Sequence, residues 1–561
     1  MHSRAAKAIS PARPACWASA DRRSMICSSS TISRIRTFAA ICALAALVAG
    51  PVRGDASPDA LAKARAALAK GDGIAAQVPL QQALRQGVQG DVVRAALGEA
   101  LLLESDRRKA REVLYGGDFA PESAARGWQM RGRLELAEGR LIEAGQAFDQ
   151  SYRINAENAS LWTDIGRLRF IGGEHAQAIE AAERAIKLDP KDPRALELRG
   201  LLIREQFGLQ SALPWFETGL QIAPNDVGLL SEYAATLGEL GQYRAMLIVC
   251  RKLAKVDRGN ERALYLQAVL AARAGQTTLA RKILMQTGKA LRNLPAAIML
   301  NGILEYRSGN ANLAVEHFDR LVRMQPDNMQ ARMMLVRTLR SRGLNAQAVQ
   351  AAGIWANLQS APPYLLQLTG EAYLAQGNKR EAATLFARAD DDGQRPSEFL
   401  SAGQPLGVLA INYGDGPNLA GNAVPYIRGL IEAGEDRQAI AVADRLKLAN
   451  PGAAEAWLLA GDARLIANDA MGALDQYGRA ALIRFNLPTL QRIDHALRLL
   501  GRDAEANAVA ARYLYQNPGS PQALKLLSNG RAAVNDISGA ERIEVVLMAR
   551  GLRNRQSHNP S

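Results

Sequence analysis

Residues 159–190 read ASLWTDIGRLRFIGGEHAQAIEAAERAIKLDP, and residues 193–224 read PRALELRGLLIREQFGLQSALPWFETGLQIAP. Each stretch holds two apolar segments and closes on a proline, Pro190 or Pro224, and these prolines stand 34 residues apart. Pro326 lies three further periods along. A fixed period of this length marks a repeat architecture, in which one unit cannot bury its apolar face alone and neighbours must stack to make a core. Carried outward without insertion or deletion, the period sets unit starts at 57, 91, 125, 159, 193, 227, 261, 295, 329 and 363.

Within these ten units the eighth position is Gly or Ala in all but one: Ala64, Gly98, Gly132, Gly166, Gly200, Ala234, Ala268, Gly302 and Gly370, with Val336 the exception. The twentieth is Ala in all but one, from Ala76 to Ala382, with Met246 the exception. Small residues at both positions predict a helical hairpin whose two helices approach closely. Position 24 is apolar and often bulky, as in Leu114, Phe148, Phe216 and Phe318. Gly139, Gly241, Gly275, Gly309, Gly343 and Gly377 recur at position 15, where the first helix must end in a left-handed residue. Proline near position 32 stops the second helix, because it lacks a donor and clashes with the preceding turn.

Trp162, Ile165, Gly166, Ala178, Ala185 and Pro190, with Trp128 and Trp457 at the same fourth position, resemble the tetratricopeptide repeat family. The resemblance implies an all-α fold, a right-handed α-solenoid of stacked helical hairpins with about 14 repeats over nearly all of 57–554. Ten repeats occupy 57–396, and four more start at 420, 454, 487 and 521, filling 420–554, with Ala439, Ala473, Ala506 and Ala540 at position 20. Between them, residues 397–419 carry Gly403, Pro405, Gly407, Gly414, Gly416 and Pro417, which reads as a loop, either a surface insertion or a hinge. Residues 555–561 form a polar tail. Three departures stand out: Pro79 and Pro214 fall within second helices, and Asp494 takes the small eighth position of its unit.

The N-terminus reads as a targeting segment. Arg34 and Arg36 precede the apolar run Phe38 to Ala49, and Val52-Arg53-Gly54 then offers a cleavage site, so residues 1–54 predict a secretory signal and an exported, periplasmic chain. A mitochondrial transit peptide is the alternative, since residues 1–36 are rich in Ser and Arg. The twelve-residue run is too short to span a bilayer, which needs about 20, so no integral span is expected after cleavage. Half of the formal charge of +14 also sits in residues 1–54, which weakens the case for a nucleic-acid partner. Of 561 residues, 48% are apolar and 22% charged, which excludes a disordered, collagen-like or multi-span chain. Only Cys250 follows the segment, so neither a disulfide nor a cysteine-based metal site is expected.

No enzyme, metal or cofactor is expected. His175, His317, His495 and His558 lack the i, i+4 pairing of a metal helix, Asp390-Asp391-Asp392-Gly393 lacks the alternation of a calcium loop, and Gly288-Lys289 has no glycine five residues before it. Function then belongs to the concave surface of the stack. In the resembled family, positions 2, 5, 9 and 12 of the first helix face that groove. Here they supply Arg126, Arg133, Arg167, Arg194 and Arg204, then Tyr265, Val269, Met299, Ile303, Tyr306 and Met333, then Arg337 and Arg340. An apolar and aromatic floor flanked by guanidinium groups suits an extended peptide or partner helix bearing acidic groups. The expected function is a non-enzymatic scaffold or adaptor for protein–protein interaction in the cell envelope, as in exopolysaccharide export, surface-protein sorting or secretion. The alternative is direct binding of an anionic polysaccharide through a basic groove.

Overall fold

The structure is a computed structural model that describes residues 58–288, 291–358, 361–390 and 404–549. Residues 1–54, read above as a targeting segment, the first part of the 397–419 stretch and the 555–561 tail lie outside the described residues. Among the described residues, twenty-nine α-helices and one short 3₁₀ turn make up the fold, with no strand. By contact density the chain divides into two compact units at Leu168 and Arg169, within the helix Ala159–Ile171 and not within 397–419. Each unit is a stack of helical hairpins, the all-α solenoid that the period predicts.

The hairpin is closed by two complementary positions. Alanine at position 20 is fully buried in repeat after repeat, including Ala144, Ala178, Ala212, Ala280, Ala314 and Ala348. The glycine at position 8 has a more specific duty than close helix approach. A Cβ on Gly132 would lie 2.3 Å from the ring of Phe148, on Gly200 2.4 Å from Phe216, on Gly302 2.5 Å from Phe318 and on Gly461 2.3 Å from Tyr477. Position 8 is thus the seat for the side chain at position 24 of the same repeat. Where the seat is filled, the occupant shrinks: Val336 shares its core with Ala352, and Ala234 with Cys250.

Position 15 adopts a left-handed backbone in almost every repeat, with φ of 78° at Gly139, 80° at Gly241 and 75° at Gly275. Among the described residues, the three non-glycine residues with positive φ, Ser105, Asn468 and Asn535, occupy the same position. The prolines that broke the pattern are absorbed: Gly73–Arg85 and Leu209–Ile222 continue through Pro79 and Pro214. Asp494 is fully buried and held by Arg498 at 2.7 and 2.9 Å, so an ion pair fills the space beside it.

The expected loop at 397–419 is in part a helix, Leu406–Asp415. Leu406, Leu409 and Tyr413 recur at helical spacing and pack on Ala420–Glu432, with Tyr413 stacked on Tyr426 at 4.8 Å. The segment packs there as a second helix packs on the next repeat's first helix. Gly407 and Gly414 flank this apolar stripe, and glycine content masked its period.

Within the larger unit the chain meets itself again about eight periods later. Arg484 forms ion pairs with Glu205 at 2.8 Å and Glu455 at 2.7 Å. The Phe485 N–H donates to the Glu205 carbonyl at 3.1 Å, and Gln206 donates to the Leu482 carbonyl at 2.7 Å. The Ser211 N–H and hydroxyl both donate to Gln516, at 3.0 and 2.9 Å. This seam joins Pro193–Gln206 and Leu209–Ile222 to Ala470–Ile483 and Asp503–Gln516.

Candidate partner-binding face

In the first helices that carry the aromatic and methionine residues, side chains at positions 5, 9 and 12 lie at the border of the hairpin core, half-buried against it. In Pro295–Arg307 and Met329–Ser341, the side chains of Met299, Ile303, Tyr306 and Met333 rest on a core built by Phe318, Leu335 and Val336 while staying half-buried. Tyr265 and Val269 do the same over Ala268 and Leu304. Burial raises the phenol pKa of Tyr265. By contrast Phe318 is fully buried and Leu284 nearly so.

The polar part of this face centres on Arg337. Its Nε donates to the Tyr306 hydroxyl at 3.1 Å, and its guanidinium carbon lies 5.2 Å from the Tyr306 ring centroid. Burial acts to lower the Arg337 pKa, but Tyr364 and Tyr306, both hydrogen-bonded to it, outweigh that and raise it. Arg337 is therefore a fixed cation between two tyrosines, itself exposed, and Tyr364 is also exposed. Tyr364 is not among the residues named above from the sequence, although it stands at position 2 of the repeat starting at 363, so the signal was present in the sequence.

The arginines of the sequence reading have a different fate. Arg126 pairs with Glu99, Arg133 with Asp164 at 2.6 Å, Arg204 with Glu232 at 3.3 Å and Arg340 with Glu371 at 2.9 Å. Glu99, Asp164 and Glu232 are buried, and each pair bridges one repeat to its neighbour. Arg167 and Arg194 are likewise engaged. Arg126, Arg133 and Arg167 belong to the smaller unit, whereas the aromatic and methionine residues belong to the larger one. These acidic partners are what the sequence reading missed; they recur at positions 6 and 9, one repeat away from each arginine.

Among the described residues no three His, Cys, Asp or Glu side chains assemble as a metal site, and no helix is long and apolar enough to cross a membrane. Cys250 is buried, and desolvation pushes its thiol pKa up to about 11. A thiol so protonated at neutral pH is a poor nucleophile.

A family model for the tetratricopeptide repeat matches residues 163–227 and 299–357. Human tetratricopeptide repeat protein 36 is 30% identical over 154 residues, covering 26% of this chain and 79% of that protein. The chain belongs to the tetratricopeptide repeat family. Mouse anaphase-promoting complex subunit 7 is 25% identical over 171 residues, and the match spans 30% of this chain and 30% of that subunit's length. Among solved structures, a tetratricopeptide repeat protein from Parabacteroides merdae aligns over 42% of this chain and 93% of its own, at 21% identity and a TM-score of 0.33. Solenoids of stacked repeats offer extended concave surfaces for binding.

Proposed function

We propose that the protein is a non-enzymatic scaffold of the cell envelope, exported through residues 1–54, that holds a peptide or helix of a partner protein against the face around Tyr306 and Arg337. One observation carries this reading: a fixed, exposed guanidinium between two tyrosines, beside half-buried methionines and isoleucine. Aromatic and arginine side chains that are already ordered make effective anchors, because little side-chain entropy remains to be lost on binding. Arg337 suits a carboxylate of the partner, and Met299 and Met333 can adapt to its apolar side chains.

The polysaccharide alternative asks for a row of free cations. Arg126, Arg133, Arg204 and Arg340 are instead paired with carboxylates, which favours a protein partner. The test compares what wild-type protein and the Tyr306→Ala and Arg337→Glu variants recover from periplasmic extract. A partner retained by wild type at high salt and lost from both variants supports the reading. Capture that collapses with modest salt, as expected for many screened charges, or that survives both substitutions, overturns it. Sequencing the N-terminus of the exported protein checks the address: Asp55 is expected, and an intact Met1 or Met25 counts against export.

A further inference from the structure

The repeat that starts at 261 has a shortened second helix. Thr277–Met285 stops after nine residues, whereas Tyr243–Val256 and Ala311–Met324, the second helices on either side, run for 14. The missing length, over one helical turn, leaves a cleft of about 410 Å³ against Pro295–Arg307 and Ala311–Met324. Ala297, Asn301 and Glu305 face it along an i, i+4 stripe. Met299, Ile303 and Tyr306 stand one or two places along the same helix. At about 100° per residue, most of that second stripe lies on the other side, so the cleft is separate from the face discussed above.

Its walls combine two chemistries. Leu284 and Ile298 close the floor and Met285 and Leu291 add accessible apolar surface, while Arg281, Arg292 and Arg320 bring three guanidinium groups against the single carboxylate of Glu305. Arg281 spends one terminal nitrogen on Glu305 at 2.7 Å, yet its buried Nε has no hydrogen-bond partner. Arg320 donates to the Asn293 side chain at 2.5 Å. Arg292 is exposed and has no ion pair among the described residues. His317, also on the wall, adds little positive charge, because burial lowers its pKa against the opposing pull of Glu305 and Glu316, and Arg320 acts with burial. The cleft therefore keeps an excess of about two cations and an unused buried donor above an apolar floor. Its size falls in the lower range of small-molecule sites.

We propose that this cleft binds a small amphiphilic carboxylate, its charged head held by Arg292 and Arg320 and its apolar body laid against Met285 and Leu291. A guanidinium pair matches a carboxylate in geometry and charge, and a ligand without the apolar body would leave Met285 and Leu291 in water. This site is independent of the partner face.

Octanoate, 1-octanol and inorganic phosphate, each titrated calorimetrically into the full chain, test it. Octanoate is expected to saturate at one per chain and to bind at least tenfold more tightly than octanol or phosphate. The Arg292→Ala/Arg320→Ala variant should weaken octanoate at least tenfold with an unchanged unfolding midpoint, and Tyr306→Ala should leave it unaltered. Arg292→Ala alone, at an exposed position, should weaken it at least threefold and serves if the double variant does not fold. Absence of saturable octanoate binding, equal binding of octanol or phosphate, loss through Tyr306→Ala, or full affinity in the arginine variants would overturn the proposal.

Discussion

At the scale of single residues, the repeat is governed by exchange of volume between positions 8 and 24. Gly302 seats Phe318, whereas Val336 in the next repeat accompanies Ala352, and each pair fills its core at nearly zero exposure. Close-packed interiors tolerate little change in volume at one position unless a neighbour compensates. Gly302→Ala should therefore cost about 1–3 kcal/mol, and Phe318→Leu added to it should recover part of that, because Ala268 with Leu284 is already a working pair in this chain. Chemical unfolding of the two single variants and the double variant measures the coupling; strictly additive losses would disprove the seat. A second residue-scale prediction concerns His495. Burial lowers its pKa and Asp494 opposes the shift without reversing it. The neutral form is favoured in the folded state, so this contribution is present above the ordinary histidine value of about 6.5 and is lost as pH falls through the lowered value. Thermal unfolding at pH 7.5 and 5.0 should show a smaller decline in His495→Gln than in wild type.

At the scale of elements, the first helix of each hairpin ends at a residue whose backbone must be left-handed. Gly275 has φ of 75°, and a Cβ there would meet nothing within 4 Å, so the cost of a side chain is purely conformational. Gly275→Ala should destabilise by about 1 kcal/mol, the usual penalty for an alanine in that region. Ser105, with φ of 58°, offers the reverse: Ser105→Gly should relieve strain and stabilise by a few tenths to about 1 kcal/mol after the added entropy of the unfolded chain is subtracted. Midpoints from urea titration that moved the other way would show that the turn is set by contacts elsewhere. The same scale explains why Leu406–Asp415 was read as a loop. Its glycines carry a turn signal, but a helix half-covered by Ala420–Glu432 gains more from burying Leu409 than Gly407 and Gly414 lose.

At the scale of the whole molecule, the seam around Arg484 is the feature that no single repeat encodes. Its bonds join residues as far apart as Ser211 and Gln516, separated by 305 positions. Arg484 is held charged: burial works against it, but Glu205 and Glu455 outweigh that. Arg484→Glu places three carboxylates together and should open the seam. Hydrogen exchange should quicken in Ala470–Ile483 and Pro193–Gln206, and Glu205→Arg added to it should slow exchange again by restoring opposite charges. Unchanged exchange in Arg484→Glu would mean that the seam contributes nothing to rigidity.

The sequence by itself determined the period, the hairpin, the buried alanines and the left-handed turns, because each is dictated by local steric rules that act alike in every repeat. It also placed Met299, Ile303, Tyr306 and Met333 on one side of their helices, half-buried beside the hairpin core, since position in the repeat fixes which side of a helix a residue takes. Only the tertiary structure decided how the charges are spent. Arg126, Arg133, Arg204 and Arg340 look free in a linear reading, and their carboxylate partners become neighbours only when repeats stack. The cleft beside Thr277–Met285 and the seam at Arg484 have the same origin: both depend on distances between elements, and the periodicity of a chain carries no record of a distance that arises only when distant helices pack.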